Sequence, residues 1–159
     1  MYLYNVSCPQ CTTSGTANTW LPFLSVAPGK RALRVRDLQV VSSSVIFALI
    51  VRWTGAATSG GTSQSTLPAL TIDGPTPNFA AIYSTSGGLT AGKGNGINAC
   101  LVAVNIGQDS TKDVLDANGL SVEGYGLGSI DIYVMSPSAS ATFTPYLLVE
   151  ESLDPKASQ

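Results

Sequence analysis

The sequence predicts an all-β domain, a jelly-roll or Greek-key sandwich or barrel of about eight to ten short strands with little helix. Three observations carry this expectation. Runs of alternating or β-branched residues recur along the chain, separated by Gly, Pro, Ser and Asn turns. No window long enough for a surface helix keeps a clean helical period. Several connections are long and few are two-residue hairpins, which favours a jelly roll first and an immunoglobulin-like sandwich second over a simple meander.

The elements follow in order. Tyr2, Tyr4 and Val6 alternate, which predicts an N-terminal arm (residues 1–18) that adds a strand to a neighbour's sheet edge. A single β-sandwich domain is expected over 19–150, followed by a polar, frayed tail over 151–159. Thr19 to Leu24 reads as the first strand of that domain, with Pro22 marking an edge. Ala27-Pro28-Gly29 is a turn. From Arg31, Leu33 and Val35 face one way and Arg34 and Arg36 the other. Past Asp37 the apolar set continues at Leu38 and Val40 with opposite parity, the signature of a β-bulge. Val45 to Val51 is apolar on both faces and predicts a strand covered on both sides by a second sheet, a loop layer or another subunit. A long Gly/Ser/Thr loop follows over 54–66. Leu67 to Ile72, Phe79 to Ser84 and Ile97 to Ile106 read as strands. The one candidate helix is a single turn over Lys112 to Leu115, capped by Ser110 and ended near Asn118-Gly119. Leu120 to Gly124 is a short strand. Ser129 to Met135 alternates, with Ile130, Ile132 and Val134 inward and Asp131 and Tyr133 outward. Ala141 to Glu150 closes the domain.

At 159 residues the chain fits one domain and can bury a core without a metal or disulfide staple. Charged residues make up only 11% of it, against about 25% in an average soluble domain. Ser, Thr, Gly and Ala replace the missing charge. That suits a β surface covered by neighbours, and a secreted β domain fits as well. The net charge of −2 argues against a general nucleic-acid binder, which needs many cations to neutralise phosphates. The basic cluster Lys30, Arg31, Arg34 and Arg36 reads first as the polar face of one strand and second as a phosphate- or partner-binding stripe. No apolar run is long enough to span a membrane, and no signal peptide or lipid-anchor motif is present.

The search for chemistry yields no catalytic constellation and no cofactor or metal site. The chain contains no His, which excludes Ser-His-Asp and Cys-His arrangements within it. Cys8-Pro9-Gln10-Cys11 has the spacing of redox sites and of half a zinc site. It lacks the strand-to-helix setting of the former and the second ligand pair of the latter. Cys8 and Cys11 are therefore expected to be inert thiols, or a short disulfide in an oxidising setting, with Cys100 alone in an apolar strand. Gly92 to Gly96 and Gly124 to Gly128 fail the phosphate-loop and dinucleotide patterns because no helix follows. Asp109, Asp113, Asp116 and Asn118 read as a capped turn in preference to a calcium site. Trp20 and Trp53 are expected in the core or at a subunit interface. Tyr2, Tyr4, Trp20, Trp53, Arg31, Arg34 and Arg36 are the candidate interface residues.

The stretch Lys30-Arg31-Ala32-Leu33-Arg34-Val35-Arg36-Asp37 through Val45 to Trp53, the loop after it and Thr66-Leu67-Pro68-Ala69-Leu70 resembles small jelly-roll virion structural proteins of bacterial viruses. The likeness covers residues 20–85 and 128–150 and lies in the style of strand and loop. It implies a capsid shell or decorating subunit of the virion, partnered by copies of itself and by other virion proteins, with no catalytic residues to carry over. Residues 1–29 contain no Lys or Arg, so the basic arm of genome-packaging capsid proteins is absent and an outer role is favoured. A carbohydrate- or cell-surface-binding sandwich is the alternative, and a small hydrolase with an acidic site ranks last.

Overall fold

The computed structural model describes residues 2–64, 76–94, 103–106, 110–113, 122–124 and 127–155. Among these residues there are twelve strands and no helix. One sheet holds β1 (Tyr2–Ser7), β2 (Cys11–Thr12), β4 (Arg31–Ser42), β9 (Ser110–Asp113), β10 (Val122–Gly124) and β12 (Thr142–Pro155). Its order is β1-β12-β4-β10, with β2 on β12 and β9 on β4. The other sheet holds β3 (Leu21–Ala27), β5 (Ile46–Trp53), β6 (Thr62–Ser63), β7 (Ala80–Tyr83), β8 (Ala103–Ile106) and β11 (Ser129–Met135), in the order β6-β7-β3-β11-β5-β8.

The wiring follows from those orders. In chain order β1, β4, β9/β10 and β12 lie in the first sheet, and β3, β5, β8 and β11 in the second. Successive strands cross between layers except from β5 to β8, and the last two strands wedge between earlier ones. Antiparallel sheets interleaved in this way are an eight-position jelly roll. Strands β9 and β10 line successive halves of one β4 edge and share a single position, and β6 and β7 extend the second sheet beyond β3.

The bulge read from the parity change in β4 is present. Leu148 pairs with Asp37 and Val149 with Val35, so Arg36 is the extra residue. Leu33, Val35, Leu38 and Val40 consequently all reach the core between the sheets. From the opposite sheet Ile46, Ala48, Ile50, Ile130, Ile132 and Val134 meet them. Phe23 and Phe143 join the layers edge to face at 4.8 Å. On β5 the inner residues are buried, and on the outer face Val51 is buried while Phe47 and Leu49 are half-buried.

Four expectations are corrected. Residues 2–7 are not an arm for a neighbour: β1 pairs with β12 of its own chain, and Tyr4 and Val6 are core residues. Alternation identifies a strand but not its partner. The tail does not begin at 151, because β12 runs to Pro155 and Glu151 is fully buried. Ser110–Asp113 is a strand on β4, not the start of a helical turn, and Leu115 to Gly119 lies outside the described residues. Pro22 is not on an edge strand, since β3 lies between β7 and β11. It is tolerated because β7 pairs only with Leu24–Ala27 and because β11 shifts register opposite Phe23. The expected strand at 67–72 also lies outside the described residues.

Candidate functional site

The outer face of the first sheet is built by two long strands and an edge strand. Rows run across it in register: Ser7, Tyr146 and Gln39, then Asn5, Leu148 and Asp37. Alternation sends these side chains away from the core. Val41 and Tyr146 are 43% and 37% exposed, Gln39 is exposed, and Leu3 and Leu148 are half-buried. Two shallow clefts lie on this face. One, of about 330 Å³, lies along Gln10, Val41 and Thr142 to Thr144; the other, of about 190 Å³, lies along Asn5, Asp37, Gln39, Tyr146 and Leu148. Charge on this face gathers at one end, where Arg36 Nη1 donates to Glu150 Oε2 at 2.9 Å beside Asp37. Asn5, Ser7, Gln39, Val41, Thr142, Thr144, Tyr146 and Leu148 are themselves uncharged, with Asp37 in the row of Leu148 and Asp113 of β9 in register with Gln39.

The second sheet carries a buried carboxylate on its outer face. Asp131 lies opposite Ser25 on β3 and Val51 on β5. Its Oδ1 accepts from Ser25 Oγ at 2.6 Å and Ser129 Oγ at 2.9 Å. Its Oδ2 accepts from Trp53 Nε1 at 3.1 Å and from the Thr58 hydroxyl. The donors extend into a loop layer. Thr58 N donates to Ser129 Oγ, Gly92 N donates to Thr58 Oγ1, and Ser59 and Thr90 exchange backbone hydrogen bonds. Burial pushes the Asp131 carboxyl above its ordinary value, opposed by the four donors. Two carboxylate oxygens offer about four lone-pair directions, and four donors fill them. Asp131 is thus a clamp that fixes the loop layer to the sheet, with no lone pair left for a substrate or metal.

Glu150, paired with Arg36, and Glu151 are buried carboxylates as well. Asn78 N donates to both oxygens of Glu151 at 3.0 Å, and Arg31 Nη1 lies 3.6 Å away. Burial pushes its carboxyl up, against the Asn78 N–H and the Arg31 guanidinium. The arrangement ties the segment before β7 to the end of β12, beneath the Tyr4–Phe79 ring contact. Cys8 and Cys11 form a buried pair of free thiols, with sulfurs 3.0 Å apart. The shared S–H and burial push the Cys8 thiol up, while the same hydrogen bond pulls Cys11 down against its burial.

The seven candidate interface residues do not form one surface. Tyr2 and Tyr4 serve the chain's own core, Tyr2 from its margin. Trp53 binds Asp131, and Trp20 is half-buried before β3. Arg31 joins Glu151, Arg36 joins Glu150, and Arg34 stands in register between Glu150 and Glu123. The basic cluster is thus largely spoken for by acids on β12. Gln39, Val41, Tyr146 and Leu148 of the outer face are not among the seven; the signal for them is alternation at the ends of β4 and β12 away from Arg34, Arg36 and Glu150. Asp131 was placed outward, but its burial depends on a loop far away in sequence. Among the described residues no three His, Cys, Asp or Glu side chains gather to hold a metal. Asp113 lies in β9, and the other calcium candidates, Asp109, Asp116 and Asn118, lie outside the described residues, as does Cys100. No helix among the described residues is long and apolar enough to cross a membrane. No protein-family model matches the chain, and neither a curated protein nor a solved structure matches it.

Proposed function

We propose that this chain is a non-enzymatic virion structural protein, a capsid shell or capsid-decorating subunit that assembles into symmetric oligomers through β-rich faces. The observation that carries the reading is the outer face of the first sheet. Val41, Tyr146 and Leu148 lie on it among mostly uncharged polar residues, with two shallow clefts beside them and Asp37 lining the one at Leu148. Interface cores are depleted of charge and favour apolar and aromatic side chains, and this face offers Val41, Leu148 and one ring, Tyr146. The chemistry agrees, because the three buried carboxylates among the described residues all have structural partners: four donors on Asp131, Asn78 and Arg31 on Glu151, and Arg36 on Glu150. The likeness of strand style to jelly-roll virion proteins supplies the biological class. Among the described residues the exposed large hydrophobics include one aromatic ring, Tyr146, which gives little platform for stacking a sugar.

Sedimentation velocity on the wild type and on V41D and Y146D tests this reading. The wild type should sediment as an oligomer whose share grows with concentration. Each variant should shift it at least tenfold toward the 16.4 kDa monomer while keeping its circular dichroism spectrum. Association unchanged by both substitutions would remove this face from the proposal, and specific binding on a glycan array by a monomer would replace the proposal.

A further inference from the structure

Cys8 and Cys11 are three residues apart, a spacing that puts side chains on opposite faces of a regular strand. Here both enter one core. The cause is an interruption at the sheet edge. Ser7 lies opposite Tyr146 and Cys11 opposite Phe143, so residues 8–10 face only residues 144 and 145. The one extra residue reverses the parity. Pro145 sits at that gap; it has no N–H to donate, and a gap in the neighbouring strand is where an interior proline fits. Pro9 and Gln10 are exposed at the tip of the turn, so its outer side meets solvent. Inside it, the two sulfurs are 3.0 Å apart, about 1 Å longer than a disulfide bond.

We infer that Cys8 and Cys11 are a disulfide-forming pair, closed by exchange with a small-molecule disulfide such as glutathione disulfide, and that the closed bond staples β1 to β2. One cysteine thiolate attacks a glutathione sulfur, forming a mixed disulfide and expelling a glutathione thiolate. The second cysteine thiolate attacks the protein sulfur of that mixed disulfide and expels the other glutathione. Two protein thiols are oxidised, one glutathione disulfide is reduced to two glutathiones, and the two thiol protons pass through solvent to the two expelled glutathione thiolates. Closure removes two hydrogens and adds no volume to the core. No helix begins at Cys11, so the pair lacks the thiolate-stabilising setting of a catalytic dithiol and serves as a staple.

Mass spectrometry of the full chain tests this. The protein is incubated with glutathione disulfide, alkylated, then digested after Lys and Arg, so that Cys8 and Cys11 share the peptide ending at Lys30. That peptide should be unalkylated and lighter by two hydrogens than its reduced form, with Cys100 alkylated. The oxidised wild type should also melt about 5 °C above the reduced one, and C8S/C11S should show no redox-dependent shift. Alkylation of both cysteines, a lasting glutathione adduct on either, or a crosslink to Cys100 would overturn the inference, and the wild-type peptide decides it even where the variant does not fold.

Discussion

Asp131 shows how one buried charge can organise a surface. A carboxylate taken out of water is tolerable only when hydrogen-bonded, and three hydroxyls and an indole N–H supply this. Asp131→Ala would orphan those donors and should cost about 3 kcal/mol in urea unfolding, with the 54–64 loop exchanging its amide protons faster. The pH dependence has a definite sign. Burial raises the folded-state value above the ordinary 3.8, so the folded protein holds the proton more tightly than the unfolded chain. The associated stability is present below pH 3.8 and is lost as pH rises through the raised value. In urea melts the wild type should therefore lose stability relative to D131N across that window and run parallel to it above. Gly128 poses a second constraint at this scale. It has φ +95° and approaches the Trp53 backbone so closely that a Cβ would strike the carbonyl oxygen. Gly128→Ala should cost about 3 kcal/mol by the same measurement.

Among the elements, β4 was the most legible in the sequence. The change of phase between Val35 and Leu38 located a bulge, and the register places it at Arg36. Deleting Arg36 would make the alternation continuous and keep Leu33, Val35, Leu38 and Val40 on one face. The deletion should therefore fold and cost about 1 kcal/mol, mostly the part-buried pair with Glu150 and the altered twist; a chain that fails to fold would show that the bulge does more than correct phase. Strand β5 was legible through its apolar run, and β11 through its alternation. What stayed hidden was non-local. Tyr2, Tyr4 and Val6 announce a strand, but only β12 decides that it pairs within the chain. Ser110–Asp113 is too short and polar for its own pattern to settle, and the β4 edge makes it a strand. Glu151 looked like tail because a polar run is locally indistinguishable from solvent-exposed chain. Its burial rests on Asn78 and Arg31, brought in by other strands.

At the scale of the molecule, the chain interleaves two sheets so that its first and last strands lie side by side in one of them. The second sheet covers part of its outer face with its own loop layer. The first sheet leaves a low-charge outer face around Tyr146. That asymmetry agrees with the 11% charge content, which leaves little to keep a lone subunit apart from its copies. Electron microscopy of the purified, concentrated protein is the most direct test of a shell-building subunit. It should reveal closed, symmetric particles in which the sheet carrying Val41 and Tyr146 meets a neighbouring subunit. A field of dispersed 16.4 kDa monomers at every concentration, unchanged by the addition of preassembled virion shells, would contradict it.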